Sequence, residues 1–129
     1  MTSTELKKYA ELSAELLVKN ELLDSLERLI DSLDNNDSSD IVLVDYNKVT
    51  NELDSLRAHV RQLFEKHSDL FMEVHDEIWS TNNSSSQAEI LSLHIQRGFS
   101  RKQVSLILGM EYDAINKRVM RFYKELDCR

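Results

Sequence analysis

The sequence predicts an all-α fold, because turn-forming residues are nearly absent and apolar residues recur at helical spacing. The 129 residues contain no proline and two glycines, Gly98 and Gly109. An average chain of this length has about 6 prolines and about 9 glycines. β-Sandwiches and barrels need many turns built from these residues, so the sequence excludes an all-β fold. Glycine-rich phosphate-binding loops are excluded for the same reason.

The composition predicts a water-soluble protein of a reducing compartment. Hydrophobic residues make up 41% of the chain and charged residues 30%, and the longest apolar run is four residues. The N-terminus lacks the apolar core of a signal peptide, so we expect neither export nor a membrane span and expect the cytoplasm. The lone cysteine, Cys128, excludes a disulfide framework within one chain.

Charge divides the chain into an acidic body and a basic C-terminal piece. Residues 1–80 carry a net charge of −10 and residues 81–129 a net charge of +3, which together give −7. Residues 81–86, of sequence TNNSSS, have the composition of a flexible linker. We therefore predict a helical dimerisation or partner-binding module in residues 1–80, a linker in 81–86 and a separate domain in 87–129.

Residues 1–80 predict two long amphipathic helices that form a helical hairpin or a coiled coil. Steps of three and four residues trace one apolar row in each helix, and Lys19 and His67 are the polar members of these rows. The first row contains Tyr9, Leu12, Leu16, Lys19, Leu23, Leu26, Ile30 and Leu33, and the second contains Val49, Leu53, Leu56, Val60, Leu63, His67, Leu70 and Val74. Residues 41–44, of sequence IVLV, fit a strand, a helix start or an apolar plug.

The two helices can pair within one chain or between two chains, and the sequence leaves this open. An isolated hairpin rarely buries enough apolar surface to offset its ordering entropy, so we expect a homodimer. In an antiparallel hairpin that pairs Leu33 with Leu53, Lys19 falls opposite His67. The apolar residues expected to hold the dimer together are Leu12, Leu16, Leu23, Leu26, Ile30, Leu53, Leu56, Val60, Leu63 and Leu70.

Three histidines in the second helix, His59, His67 and His75, do not predict a metal site. They are eight residues apart, which is about 12 Å along a helix, so no two of them can bind one ion. The sequence also offers no paired nucleophile and base and no phosphate-binding loop. We therefore expect no cofactor, no metal and no enzymatic activity.

Residues 87–126 predict three short helices with the start and stop signals of a helix-turn-helix. Gly98 ends a first helix of about 87–97, and Ser100 forms a capping box with Gln103 before a second helix, 101–108. Gly109 ends that helix, and a third helix covers about 111–126. The predicted apolar positions are Val104, Ile107 and Leu108 in the second helix and Ile115, Val119, Phe122 and Leu126 in the third.

This segment resembles the helix-turn-helix of the LuxR/GerE regulators and of the fourth region of bacterial sigma factors. The matching residues are Glu89, Ile90, Leu91 and Leu93, then Gly98, Ser100, Lys102, Gln103, Val104, Ile107, Leu108 and Gly109, then Ile115, Arg118, Val119 and Leu126. Ser105 stands where these families usually have alanine. The resemblance covers about 40 of the 129 residues, and residues 1–80 lack the aromatic and basic character of a sigma factor.

The resemblance implies roles for residues of the second and third helices in DNA binding. The residues it places toward the bases are Tyr112, Asp113, Asn116, Lys117 and Met120. The residues it places on phosphates are Arg101, Lys102, Arg118 and Arg121. In the major groove, a carboxylate can accept from cytosine, an amide can pair with adenine, and an ammonium group can donate to guanine. Phosphate contacts position a protein on DNA without specifying the sequence.

The sequence as a whole predicts a bacterial transcriptional regulator that binds double-stranded DNA and dimerises through its N-terminal helices. The alternative is a helical adaptor or anti-activator that binds RNA polymerase or another regulator without binding DNA. The acidic body favours the adaptor, and the basic third helix favours DNA.

Overall fold

The computed structural model describes the backbone of residues 1–34, 40–80 and 83–128, and the side chains of the same residues except 40–45. All regular structure in these ranges is helical, which confirms the all-α fold class. The helices are α1 (Ser3–Asp34), α2 (Asp40–Ile78), α3 (Ser85–Leu91), α4 (Arg101–Leu108) and α5 (Tyr112–Asp127). A π-helical turn, Ser92–Gln96, continues α3. Residues 41–44 lie within α2, so of the three predicted conformations their backbone takes the helical one.

The first two helices pack antiparallel against each other within the chain. Near the base of this hairpin, Tyr9 Oη donates a hydrogen bond to the carbonyl of His67 at 3.3 Å. Further out, Arg57 donates to Glu27 Oε1 at 3.3 Å. Because both residues of this ion pair are solvent-exposed, it contributes no more than about 1 kcal/mol. Apolar burial between the helices therefore holds the hairpin together.

The predicted dimerisation residues are buried to different degrees within the single chain. Leu16, Leu53 and Leu63 are buried in the single chain, whereas Leu70 is exposed. The remaining members are half-buried: Leu12, Leu23, Leu26, Ile30, Leu56 and Val60. Partial burial is expected of a two-helix hairpin, since each helix has a single neighbour over most of its length.

The register of the hairpin differs from the predicted one, in which Lys19 lies opposite His67. The Nε2 atom of His67 lies 2.9 Å from Ser13 Oγ, and Lys19 instead lines a groove of about 510 Å³ together with His59. At His67 the hairpin is therefore shifted by six residues of α1, or about 9 Å. A heptad row specifies the register of two helices poorly, because a shift of about one heptad again sets apolar residues opposite apolar residues.

One hydrophobic core joins the base of the hairpin to the C-terminal helices. Leu6 and Tyr9 of α1 and Val74 and Ile78 of α2 are buried in it. The core residues that α3, the π turn, α4 and α5 contribute are Ala88, Ile90, Leu91, Ile95, Val104, Ile115, Val119, Phe122, Tyr123 and Leu126. Full burial of one such aliphatic side chain stabilises a fold by about 1.5–3 kcal/mol. The hairpin and the C-terminal helices therefore stabilise each other. The independence of residues 1–80 and 87–129 as domains stays a prediction.

The predicted start and stop signals of α4 are present, and α3 has a further cap. Ser84 caps α3 by accepting a hydrogen bond from the backbone nitrogen of Gln87 at 3.1 Å. Ser100 and Gln103 form the expected capping box at the start of α4. Gly109 ends α4 in the left-handed conformation, with φ at 64°. Of the predicted linker, residues 81 and 82 lie outside the described residues, and Ser85 and Ser86 belong to α3.

A hydrogen-bonded joint connects the hairpin to the end of the π turn. Ser13 Oγ donates to the carbonyl of Ile95 at 2.6 Å, and His67 Nε2 lies 3.1 Å from the carbonyl of Gln96. The last carbonyls of a helix lack partners within the helix, and leaving them unpaired when buried costs about 1–3 kcal/mol each. The two side chains from the hairpin therefore satisfy acceptors of the C-terminal unit.

We expect the protein to lose stability as the pH falls below about 6.5. Burial lowers the pKa of His67 and of His94 below the ordinary histidine value of 6.5. The unfolded chain then binds more protons than the folded chain in this range, so the free energy of unfolding decreases with falling pH. The decrease is at most about 1.4 kcal/mol per pH unit for each histidine.

Urea denaturation between pH 7.5 and pH 5 measures this decrease. The variant His67→Gln, which does not titrate, should show a smaller decrease than the parent. An equal decrease in the variant and the parent would assign the pH dependence to other groups.

Candidate nucleic-acid interface

The last two helices form a helix, a tight turn and a longer helix that share the hydrophobic core. The backbone nitrogen of Met110 donates to the Ser105 carbonyl at 3.0 Å, which closes the end of α4 after Gly109. Glu111 then adopts an extended conformation at the N-cap of α5. The turn brings α5 back across α4, and Val104 of α4 is buried in the same core as Ile115 and Val119 of α5.

Helix α5 has a buried face and an opposite charged face, as its sequence predicts. The four residues of the predicted inward row, Ile115, Val119, Phe122 and Leu126, are all buried. Tyr123 extends this buried face. Residues about one turn apart on the opposite side, Asp113, Lys117, Met120 and Lys124, are all exposed. The helix therefore presents a continuous outward surface, which we call the outer face of α5 and define by these four residues.

The five residues predicted to face bases are not equivalent in the structure. Tyr112, Asp113, Lys117 and Met120 are exposed at or beside the outer face. Asn116 is half-buried, and its Oδ1 atom accepts a hydrogen bond from Nη1 of Arg101 on α4. The amide nitrogen of Asn116 remains available as a donor, whereas its oxygen is engaged within the protein.

The four residues predicted to contact phosphates lie on two flanks of α5. Arg101 and Lys102 stand at the start of α4 on one flank. On the other flank, Arg118 donates to Ser86 Oγ at 3.0 Å. Arg121 is exposed next to it. Positive charge therefore borders the outer face of α5 on both sides.

The flank formed by Arg118 and Arg121 includes a polar groove of about 300 Å³. Gln87 Nε2 donates to the Arg118 carbonyl at 3.1 Å, which ties α3 to α5 at this groove. Glu125 also lines the groove, so its charge is mixed. Guanidinium, hydroxyl and amide groups together offer several hydrogen-bond donors at this flank.

Helix α4 departs from its predicted apolar pattern at two positions. Ile107, predicted to be a core residue, is exposed, and so is its neighbour Leu106. Ser105 is buried instead, and its hydroxyl donates to the Lys102 carbonyl at 2.7 Å. This bond satisfies the hydroxyl inside the core. The core therefore accepts serine where the resembling families have alanine. Ile107 lies outside the buried face of α4.

Two further residues of this region carry perturbed pKa values. Burial lowers the pKa of His94, although its Nδ1 atom lies 2.8 Å from the Phe99 carbonyl, a contact that acts in the opposite direction. Burial raises the pKa of Tyr123 to about 12. Both side chains are therefore uncharged at neutral pH. No local pattern in the sequence marks either of them, because their burial depends on α1, which is distant in sequence.

Comparison of the chain with protein-family models, with curated proteins and with solved structures finds no match. Within the described part of the chain, no helix has both the length and the hydropathy needed to cross a membrane. The resemblance of residues 87–126 to the LuxR/GerE and sigma helix-turn-helix stays a prediction drawn from those residues.

Proposed function

We propose that the protein is a DNA-binding transcriptional regulator that places α5 in the major groove and dimerises through its N-terminal helices. The observation that carries this proposal is the outer face of α5. It is exposed opposite a fully buried apolar row and is bordered by arginines on both flanks. A major groove about 12 Å wide admits one helix of this kind.

The length and surface of α5 favour it over α4 as the groove-binding helix. Its 16 residues extend about 24 Å. Helix α4 has 8 residues and exposes Leu106 and Ile107, which are poor partners for a phosphate backbone. The order of a short helix, a tight turn and a longer basic helix is also that of helix-turn-helix proteins.

The residues of the outer face offer complementary chemistry to base edges. Lys117 can donate to the guanine O6 and N7 acceptors, and Asp113 can accept from the cytosine amino group. Met120 offers apolar contact to a thymine methyl group. Asn116 is proposed to bind adenine through both amide atoms, and its oxygen, which has two lone pairs, also accepts from Arg101.

A second copy of the chain is the proposed partner of the hairpin. Leu22 and Leu29 lie one heptad apart on α1, and they are 47% and 44% exposed. A four-helix assembly would bury this row, and it would supply the two DNA-binding units that a roughly palindromic site requires.

The double variant Leu22→Glu and Leu29→Glu should convert a dimer into a monomer in sedimentation equilibrium. The matched control is Leu106→Glu, a charge placed at an exposed leucine of α4, which should leave the dimer intact. Leu63→Asp does not test the dimer, since Leu63 is buried within one chain. Sedimentation of the parent as a 15.1 kDa monomer at micromolar concentration would contradict the dimer.

The experiment that tests the DNA-binding function is selection of duplex fragments from genomic DNA by the full-length protein at moderate salt. We expect enrichment of a shared, roughly palindromic sequence. Recovery of fragments without a shared sequence would contradict a specific regulator.

A second candidate function, a protein-binding adaptor, is favoured by a row of aromatic side chains on α2. We call it the aromatic row, and it consists of Phe64, Phe71, His75 and Trp79. Phe71 stacks with His75 at a centroid distance of 5.9 Å, and His75 contacts Trp79 at 6.0 Å. Phe64 is 58% exposed and Trp79 is 47% exposed. Exposed aromatic residues on an acidic body are typical of a protein-binding surface. Retention of a protein by the full chain, with no duplex bound at low salt, would support the adaptor over the regulator.

A further inference from the structure

A groove of about 490 Å³ runs between α1 and the segment that leads into α4. Its apolar walls include Leu17 and Val18 from α1 and Phe99 from the segment before α4. Lys7 lines the same groove, ten residues before Leu17 and about 15 Å away along the helix axis. The groove therefore has one charged end at Lys7 and apolar walls further along α1.

The charged end holds a tyrosine hydroxyl and two cations. Tyr123 is 5% exposed and lines the groove, and its hydroxyl has no hydrogen-bond partner in the described part of the chain. Lys7 Nζ lies 5.1 Å from the centre of the Tyr123 ring. Arg101 is close enough for its charge to act on the Tyr123 hydroxyl.

In the part of the chain that the structure describes, the two cations at this end of the groove, Lys7 and Arg101, are not held in ion pairs. The Tyr123 hydroxyl is protonated at neutral pH, because burial raises its pKa to about 12. Two cations and one hydroxyl donor therefore line this end of the groove, and a carboxylate accepts from all three kinds of group.

We propose that the groove binds a small amphipathic carboxylate, whose head group contacts Arg101, Lys7 and the Tyr123 hydroxyl while its apolar body lies along Leu17, Val18 and Phe99. Binding sites for small molecules combine apolar walls with a few converging polar groups in this way, in volumes of about 300–1,000 Å³. A cationic ligand is disfavoured at the same end by both Lys7 and Arg101.

Two carboxylates of α1, Glu11 and Glu21, also line the groove. Glu11 lies one turn from Lys7 and weakens the attraction for an anion, whereas Glu21 lies beyond the apolar walls. Removing the charge of Glu11 should therefore strengthen carboxylate binding, which a purely apolar groove would not show.

Arg101 connects the groove to α5. Its Nη1 atom donates to Asn116 Oδ1, so a carboxylate that draws the guanidinium into the groove competes with this bond. Release of Asn116 would then change the surface that we propose to contact DNA. This coupling rests on the proposed DNA-binding function, whereas carboxylate binding does not.

The experiment is a titration of the full-length protein with sodium decanoate, followed by the methyl resonances of Ala10, Ala14, Leu17 and Val18. We expect saturable shifts at these methyl groups. Arg101→Gln and Tyr123→Phe should each weaken binding at least tenfold, and Glu11→Gln should strengthen it about threefold. Lys7→Gln should also weaken binding, and its matched control is Lys8→Gln. The control for Arg101→Gln is Arg97→Gln. Both control residues are exposed and do not line the groove.

Three results would overturn the proposal. The first is equal affinity for decanoate and for its uncharged analogue 1-decanol. The second is unchanged affinity in Tyr123→Phe and Arg101→Gln, with circular dichroism verifying that both variants fold. The third is the absence of shifts at the groove, including the case in which shifts occur only at the aromatic row of α2.

A separate arm tests the coupling to α5. Decanoate should change the duplex affinity of the parent protein and leave that of Arg101→Gln unchanged. Failure of DNA binding itself would remove this arm and leave the decanoate titration valid, so the two failures are distinguishable.

Discussion

Replacing Gly98 with alanine is expected to lower the free energy of unfolding by about 2–5 kcal/mol. Gly98 adopts φ of 82°, a left-handed conformation that costs an L-residue about 1–2 kcal/mol. A Cβ atom at this position would lie 2.6 Å from the Ala14 nitrogen and overlap the Ser13 carbonyl. Because backbone atoms cannot rotate away as a side chain does, α1 must shift. Overpacking of this kind costs about 1–3 kcal/mol more.

Gly109→Ala is the matched control for this prediction. Gly109 also has a left-handed φ, of 64°, but a Cβ atom there would meet no atom within 4 Å. The control should therefore lose only the conformational part, about 1–2 kcal/mol. Urea denaturation followed by circular dichroism measures both variants. Equal losses in the two variants would show that α1 does not press against Gly98 in solution.

Replacing Lys117 with alanine is expected to weaken binding to the preferred duplex by about 1–3 kcal/mol and to relax its preference at one base pair. Lys117 lies at the centre of the outer face of α5 and is exposed. Arg121→Ala should act differently, because a lost phosphate contact weakens binding to all duplexes alike. It should also reduce the slope of log affinity against log salt by about one.

Lys8→Ala is the control for both substitutions, since it removes one exposed positive charge from α1, away from α5. Fluorescence anisotropy on the selected duplex and on scrambled duplexes, at several salt concentrations, gives all the affinities needed. If Lys8→Ala weakens binding as much as Lys117→Ala does, net charge rather than α5 accounts for the affinity.

Local signals in the sequence were sufficient to predict the helices of the C-terminal unit. The capping box of Ser100 and Gln103 and the left-handed Gly109 act within four residues, so their effect does not depend on the rest of the fold. The spacing of Ile115, Val119, Phe122 and Leu126 predicted the buried face of α5, because a helix of this length has one side that can meet a core.

The contacts between distant segments were not predictable in the same way. Gly98 packs against Ser13 and Ala14, and the Arg101 guanidinium binds Asn116, yet no local pattern relates these residues. The predicted hairpin register was wrong, because the apolar rows of α1 and α2 match in several registers. The observed register includes the contact of His67 with Ser13 and Gln96, which the heptad pattern does not contain.

The same distinction between local patterns and distant contacts explains why only part of the candidate interface was predicted. The exposure of Lys117 and Met120 follows from the helical period of α5 alone. The half-burial of Asn116 and the position of Tyr123 in the groove depend on α4 and α1, and the sequence carried no signal for them.

The most direct test of the central claim, that α5 enters the major groove, is to map backbone amide shifts of the full-length protein on addition of the selected duplex. We predict that the largest shifts fall on residues 112–121 and on Arg101 and Lys102 at the start of α4. They should diminish in the variant Lys117→Ala. Shifts confined to the aromatic row of α2, or no shifts at low salt, would contradict the claim.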